Sequence, residues 1–397
     1  MVVVKEKSMT SHEQVLYRSK LFRDAIAFKV PDRTPHFNCA VTWKIIDSGY
    51  KYSEAFNDYD IMEKVVRRFC DIYPFDLLMD NGARNPFKVM ESFGKGYYYY
   101  DDESCVVGVE PYQLCPSEDL VEYAKDPTKY LWTKTLPARF PDWDDKGLED
   151  FQRTMDEQFA FNNFSMKMLN IMRDEYGIPF ANSSKTGFPS FAIETMFTGI
   201  RGIKGLSLDI RRHPDELKEA VDIIDSNGIY KLIDKIAALE EGTDPETCYD
   251  ISSIMLAHTV LSPKTFERYY YEPLNKLITT VASKKKQYRI TVEGAAKHLH
   301  DYFRDYPKGV LAMLLEQDDI FECRKSLPNV CLIGGMETTM LNDGTVQECL
   351  DWTKKLIDEL TPGFIFGENK FISYKNDAKA ENFKAVCDFV ASYMNKK

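Results

Sequence analysis

Four apolar runs in the C-terminal third of the chain, residues 289–293, 310–316, 330–337 and 364–368, each close on a glutamate. Stretches of helical character separate them, and parallel neighbours in a sheet need long crossover connections of this kind. The pattern predicts an α/β chain whose parallel strands close into a (β/α)8 TIM barrel, a fold that gathers its chemistry at the C-terminal strand ends. Glu293, Glu316, Glu337 and Glu368 would then ring one mouth. Like charges crowded in a partly dry cleft cannot all remain ionised, so the ring calls for a counterion, shared protons or a metal.

The rest of the chain continues the alternation, with one interruption. Residues 8–30 read as helical, and Pro31 and Pro35 punctuate before a short strand-like run at 36–43. Ile61, Val65, Val66, Phe69 and Ile72 share one side of a helix over 60–73, and a second strand over 75–80 ends in Asp80. From about 82 to 145 the pattern breaks into an inserted hairpin, 97–102 with 105–109, expected to cover the mouth. Helical character returns at 146–176, a short strand is expected at 178–181, and 190–200 is ambiguous between helix and strand. Pro214 with Asp215 and Glu216 starts a helix, 248–257 contains a strand, and Ser262-Pro263 opens a helix that ends near Lys284. Thr345 and Glu348 form a capping box before a helix with one apolar face. A single barrel over 1–397 accommodates all of this.

Charge and composition exclude several partners. The formal net charge is -11 and no long basic cluster interrupts it, which argues against nucleic acid. No long uncharged apolar run suggests a membrane span, and the first six residues are too short for a signal peptide core. Nine scattered cysteines without a CxxC pair fit reduced thiols in the cytoplasm. The 23 tyrosines and 25 phenylalanines, clustered at 97–100 and 269–271, serve either core packing or a pocket for a flat ligand. Dinucleotide, P-loop and GxSxG signatures are absent.

Beyond the glutamates, His258 stands between a strand and Ser262-Pro263, well placed for the mouth, and Asp80 ends the second strand. These are the candidate proton donors. His298 and His300 follow Glu293 but point roughly 200° apart on a helix, so they would not share a ligand face. Gly294-Ala295-Ala296 after Glu293 and Gly334-Gly335 before Glu337 let a ligand approach the backbone.

The stretch 200–215, running from Ile200-Arg201-Gly202 to His213-Pro214-Asp215, is followed by Leu261-Ser262-Pro263, by 330–337 with Gly344-Thr345, and by 364–368 with Glu381-Asn382. Together these resemble the uroporphyrinogen decarboxylase superfamily over most of the chain. The segments 118–123, 126–127 and 136–139 are similar to the insert of its corrinoid-dependent methyltransferase branch, the methyltransferases of anaerobic O-demethylation. The resemblance implies a β/α barrel. It also implies methyl transfer from an aromatic methyl ether to the cobalt of a corrinoid carried by a separate protein, assisted by Zn(2+).

Two departures from the family pattern bear on that activity. The decarboxylase proper carries an arginine-rich motif after its first strand, whereas residues 37–43 here contain no arginine, although Asp80 matches the decarboxylase's catalytic aspartate. Several corrinoid-linked relatives hold zinc through a His-x-Cys pair and a later Cys; here Thr291-Val292-Glu293 and Gly367-Glu368 stand in those places. The implied zinc site would therefore be built from oxygen, with Glu293, Glu316 and Glu337 as ligands and Glu368 as a fourth. A decarboxylase-like lyase, or a tetrapyrrole- or corrinoid-binding protein without catalysis, is the alternative.

Overall fold

The computed structural model describes residues 6, 8–94, 96–110, 113–140 and 142–395. Residues 1–5, most of the segment judged too short for a signal peptide, lie outside the described residues. Seven parallel strands form one sheet in the order β2-β1-β9-β8-β7-β6-β5: β1 (His36–Asn38), β2 (Leu77–Leu78), β5 (Ile251–Met255), β6 (Tyr288–Val292), β7 (Leu311–Leu315), β8 (Cys331–Met336) and β9 (Phe364–Glu368). The eighth position belongs to residues 178–181. Phe180 bridges Thr247, while the Phe180 and Ala181 carbonyls accept from the amides of Cys248 and Tyr249 at 3.1 Å. Pro179 has no N–H to donate, so this segment keeps a single bridge instead of a full strand. The fold is the (β/α)8 TIM barrel expected from the sequence.

Two apolar layers hold it. Phe37, Cys39, Leu77, Tyr249, Ala312, Leu314, Cys331, Ile333 and Ile365 fill the barrel interior, and the helix Ser11–Ile26 plugs its N-terminal end with Phe22, Ala25 and Ile26. A larger cluster joins the outer face of the sheet to the surrounding helices. The helix Val346–Leu360 is typical: Thr345 and Glu348 cap it reciprocally, and Cys349, Thr353, Leu356, Ile357 and Leu360 are buried against β8 and β9. The ambiguous stretch 190–200 is helical, Ala192–Thr195 continuing into a wide π turn at Met196–Ile200. Within the 200–215 motif, Arg201 and Asp209 form a buried ion pair at 2.6 Å. No helix among the described residues is long and apolar enough to cross a membrane.

The expected hairpin is present as β3 (Tyr98–Asp101) paired antiparallel with β4 (Val106–Val109). It is fixed to the helix Tyr52–Asn57: Asp102 accepts from the Ser53 amide and hydroxyl, and the Tyr100 ring packs on Phe56 and Phe87. Tyr98 also meets Phe87, so two of the clustered tyrosines serve packing.

At the N-terminal end of the barrel the charges are neutralised in pairs. Arg33 holds Asp76 bidentately at 2.6 and 2.7 Å, and Asp76 also accepts from the His36 amide at 2.8 Å. Burial alone would raise the Asp76 carboxyl, but Arg33 overrides it and holds it below the ordinary aspartate range. Arg23 binds Asp250 in the same layer at 2.7 Å. Asp76→Ala would strand Arg33 with only Glu6 beside it, and a loss of about 3 kcal/mol in unfolding free energy is expected. Urea denaturation of the two chains measures it. The wild-type advantage should persist near neutrality and fade as pH falls through the depressed Asp76 pKa.

Candidate functional site

Strand alternation determines which acids reach the mouth. The ladder runs one residue past β6 and β7, since the Glu293 amide donates to Met255 O and the Glu316 amide to Val292 O, each at 3.3 Å. Glu293 therefore stays in register with inward-facing Thr291, and Glu316 with inward-facing Leu314. All four line a cavity of about 280 Å3 at the C-terminal strand ends, completed by Asn369, Lys370, Phe371, Ser373 and Tyr374. Glu316 also accepts from the Gly294 amide at 2.5 Å, and Gly294 adopts φ +83, a conformation that favours glycine.

The other two glutamates do not join this pair. In β9 Ile365 and Gly367 face inward, so Glu368 faces outward; it is fully buried, accepts from the Cys39 amide at 2.7 Å, and lies 3.2 Å from His36 Nε2. Gly334 and Gly335, at φ +119 and +92, break the alternation of β8. Glu337 emerges as an exposed residue at the start of the helix Thr338–Asp343 and shares with Glu316 a second cleft of about 220 Å3, lined also by Asp318, Asp319 and Trp352.

Electrostatics at the mouth reflect burial without enough cations. Burial raises the Glu293 carboxyl above its ordinary range; the Arg84 guanidinium opposes this and Glu316 adds to it. Behind Glu293 stands Glu194, carried by the helix Ala192–Thr195 and not anticipated from the sequence. Its oxygens accept from the Leu256 and Ala257 amides at 3.0–3.2 Å. Burial nevertheless pushes its pKa up to about 7, with the backbone bonds lowering it and the Glu293 charge raising it. A lone glutamate inside the apolar stretch 191–197 was the available signal. Under the cavity floor, buried Arg289 is stacked between Phe37 and Tyr249 and donates to Thr291 at 2.6 Å.

The two expected proton donors meet different environments. Asp80 does end the second strand, but it is ion-paired with buried Lys44 and accepts from the Gly82 amide at 3.1 Å. His258 is fully buried in a turn after β5, and burial pushes its pKa down to about 4, with His298 reinforcing the shift and Asp318 opposing it. At neutral pH it is an uncharged imidazole.

The mouth carboxylates do not fit a preassembled metal centre. Among the described residues, the one group of three potential ligand atoms within 4.8 Å of one another is His300, Asp318 and Cys323, behind the cavity wall. Glu293, Glu316, Glu337 and Glu368 form no such set, because parity and the glycine break direct two of them away.

The model of the family "Uroporphyrinogen decarboxylase (URO-D)" matches residues 146–393. The chain belongs to the uroporphyrinogen decarboxylase family. The match covers the stretch from the helix Leu148–Asp174 to β9 and beyond. No curated protein matches the chain significantly. Among solved structures, a methyltransferase from Methanosarcina mazei is similar over 96% of this chain and 98% of its own, with TM-score 0.58 and 13% identity, a likeness of fold.

The raised Glu194 has a consequence for stability. Its folded pKa of about 7 exceeds the ordinary 4.5, so its protonated form favours the folded state. That contribution is complete at acid pH, declines as pH rises between those two values, and is gone above about 7. Thermal unfolding across this range should show the decline in the wild type and not in Glu194→Gln.

Proposed function

We propose that this member of the uroporphyrinogen decarboxylase family transfers a methyl group from an aromatic methyl ether to the cobalt of a corrinoid carried by a separate protein. The observation that carries the reading is a carboxyl group with a raised pKa on the wall of a small, open, partly aromatic cavity: Glu293, beside Glu316 and facing Phe371 and Tyr374. A phenolate is a poor leaving group, and protonation of the ether oxygen by a carboxylic acid lets it depart as the phenol. Burial, reinforced by Glu316, disfavours the charged form of Glu293 and so favours the acid that such a step needs. Thr291 and Asn369 offer hydrogen-bonding groups to a ring substituent, and the Arg84 guanidinium, 4.8 Å from the Phe371 ring centroid, steadies the aromatic wall.

Cavity size and charge weigh against the alternatives. About 280 Å3 lies at the lower end of ligand pockets, roughly 300–1,000 Å3, which suits a single ring better than a macrocycle. A carboxylated tetrapyrrole would meet Glu293 and Glu316, while Lys44 is committed to Asp80 and Lys370 lies 3.0 Å from Asp377. The corrinoid therefore approaches on its own protein, and the cavity receives the methyl donor.

Incubation of the chain with a methoxylated phenol and a reduced corrinoid protein should yield a methyl-cobalt spectrum; its absence with every methoxyarene tried would sink the proposal. Glu293→Gln is expected to slow the reaction about 100-fold or more. In the wild type the rate should fall as pH rises through the Glu293 pKa, and the variant should lose that limb of the profile.

A further inference from the structure

We infer that His300, Asp318 and Cys323 bind a divalent transition metal, zinc by preference of the donor set, at a site separate from the mouth cavity. His300 belongs to the turn Lys297–Tyr302 after β6, Asp318 to the loop after β7, and Cys323 to the helix Ile320–Ser326. One ligand atom from each lies within 4.8 Å of the others. Tetrahedral zinc with bonds of about 2.0 Å to nitrogen and oxygen and 2.3 Å to sulfur spaces its donors roughly 3–4 Å apart. The His300 Nε2 to Asp318 Oδ2 distance is already 3.4 Å, so only modest side-chain rotation is needed.

The histidine tautomer supplies an independent argument. Ser326 Oγ lies within donating distance of the Glu322 and Cys323 carbonyls, at 3.2 and 3.3 Å, so its hydroxyl proton is used there. His300 Nδ1, 2.7 Å from the same Oγ, is then the donor of that bond. With Nδ1 as the donor, Nε2 carries either a lone pair or a second proton; it is a buried atom without a hydrogen-bond partner, facing the Asp318 carboxylate. Lone pair against anion is repulsive unless a cation sits between them, either a second imidazole proton or a metal. Metal-binding histidines commonly donate their other ring N–H to a fixed acceptor in this way. The sulfur of Cys323 closes the third side and favours a thiophilic ion over magnesium or calcium.

The site has an entrance and a reason to matter. Asp318 lines the cleft that also contains Glu316 and Glu337, which gives an ion a path from solvent. Asp318 already accepts from the Ala296 amide at 2.8 Å, while Glu316 accepts from the Gly294 amide. A metal on Asp318 and His300 would clamp the loop that carries Glu293 and Gly294 against the end of β7. Burial pushes the Cys323 thiol up to about 12, so binding near neutrality replaces its S–H with an S–metal bond and releases that proton to solvent.

Cobalt(II) titration of the chelator-treated full chain tests the inference. One equivalent should give a thiolate-to-cobalt charge-transfer band, lost on zinc addition, with an affinity that rises about tenfold per pH unit as one proton leaves. Cys323→Ser should abolish the band and Asp318→Asn should weaken binding at least tenfold, with circular dichroism reporting that both chains fold. Glu293→Gln and Glu316→Gln should leave the band intact, which separates this site from the mouth. No thiolate band in the wild type, or a band that survives in Cys323→Ser, would overturn the proposal; in that case the Nε2 position holds a proton.

Discussion

The two ladder hydrogen bonds that extend β6 and β7 past their formal ends govern this mouth. Each fixes one more residue in pleated alternation, and because the period is two, one additional bonded residue is the difference between a carboxylate over the cavity and one under a helix. Glu293 and Glu316 gain the inner face this way. Glu368 obeys the same rule with the opposite result, and Glu337 lies past the end of β8, at the start of the next helix. A barrel mouth is therefore specified by backbone register first and by side-chain identity second.

Charge is handled differently at the two ends of the barrel. At the N-terminal end Arg33–Asp76 and Arg23–Asp250 are closed pairs with additional backbone donors, so the burial cost is offset locally and the groups have no capacity left for a ligand. At the C-terminal end Glu293 lies near both Glu194 and Glu316, and burial, reinforced by these like charges and opposed at Glu293 by Arg84, raises the Glu194 and Glu293 carboxyls. Unresolved electrostatics of this kind concentrate where proton transfer or ligand binding can use them.

The fold was legible because it rests on periodicities that need no tertiary information. Apolar runs, the Thr345–Glu348 box and Pro214 at a helix start predicted elements that the structure contains, and the hairpin at 98–109 appears where the pattern broke. The segment 178–181 was expected as a strand but retains a single bridge, because the missing N–H of Pro179 outweighs its apolar character. The site was less legible. Four glutamates at four strand ends look equivalent in sequence, and parity across a glycine pair or at the last residue of β9 is invisible until register is known. Glu194 was hidden by the ambiguity of 190–200. His300 was set aside on helical geometry relative to His298, while its neighbours are Asp318 and Cys323, which the next strand and helix bring to it.

Loop 294–300 links the mouth to the cluster of His300, Asp318 and Cys323. Its start is held by Glu316 through the Gly294 amide, its middle by Asp318 through the Ala296 amide, and its end by His300 against Ser326. Both acceptors are acids three residues or fewer beyond β7, so any change in charge on either redistributes the same set of amide bonds. Neutralising Asp318 weakens the hold on Ala296 and leaves Glu293 positioned by its ladder bond to Met255 O and by the Gly294–Glu316 bond. Neutralising Glu316 weakens its hold on Gly294 and removes a like charge that raises the Glu293 carboxyl. The acidity of the mouth is thus a property of this loop's anchoring as well as of the cavity wall, and one βα connection carries both.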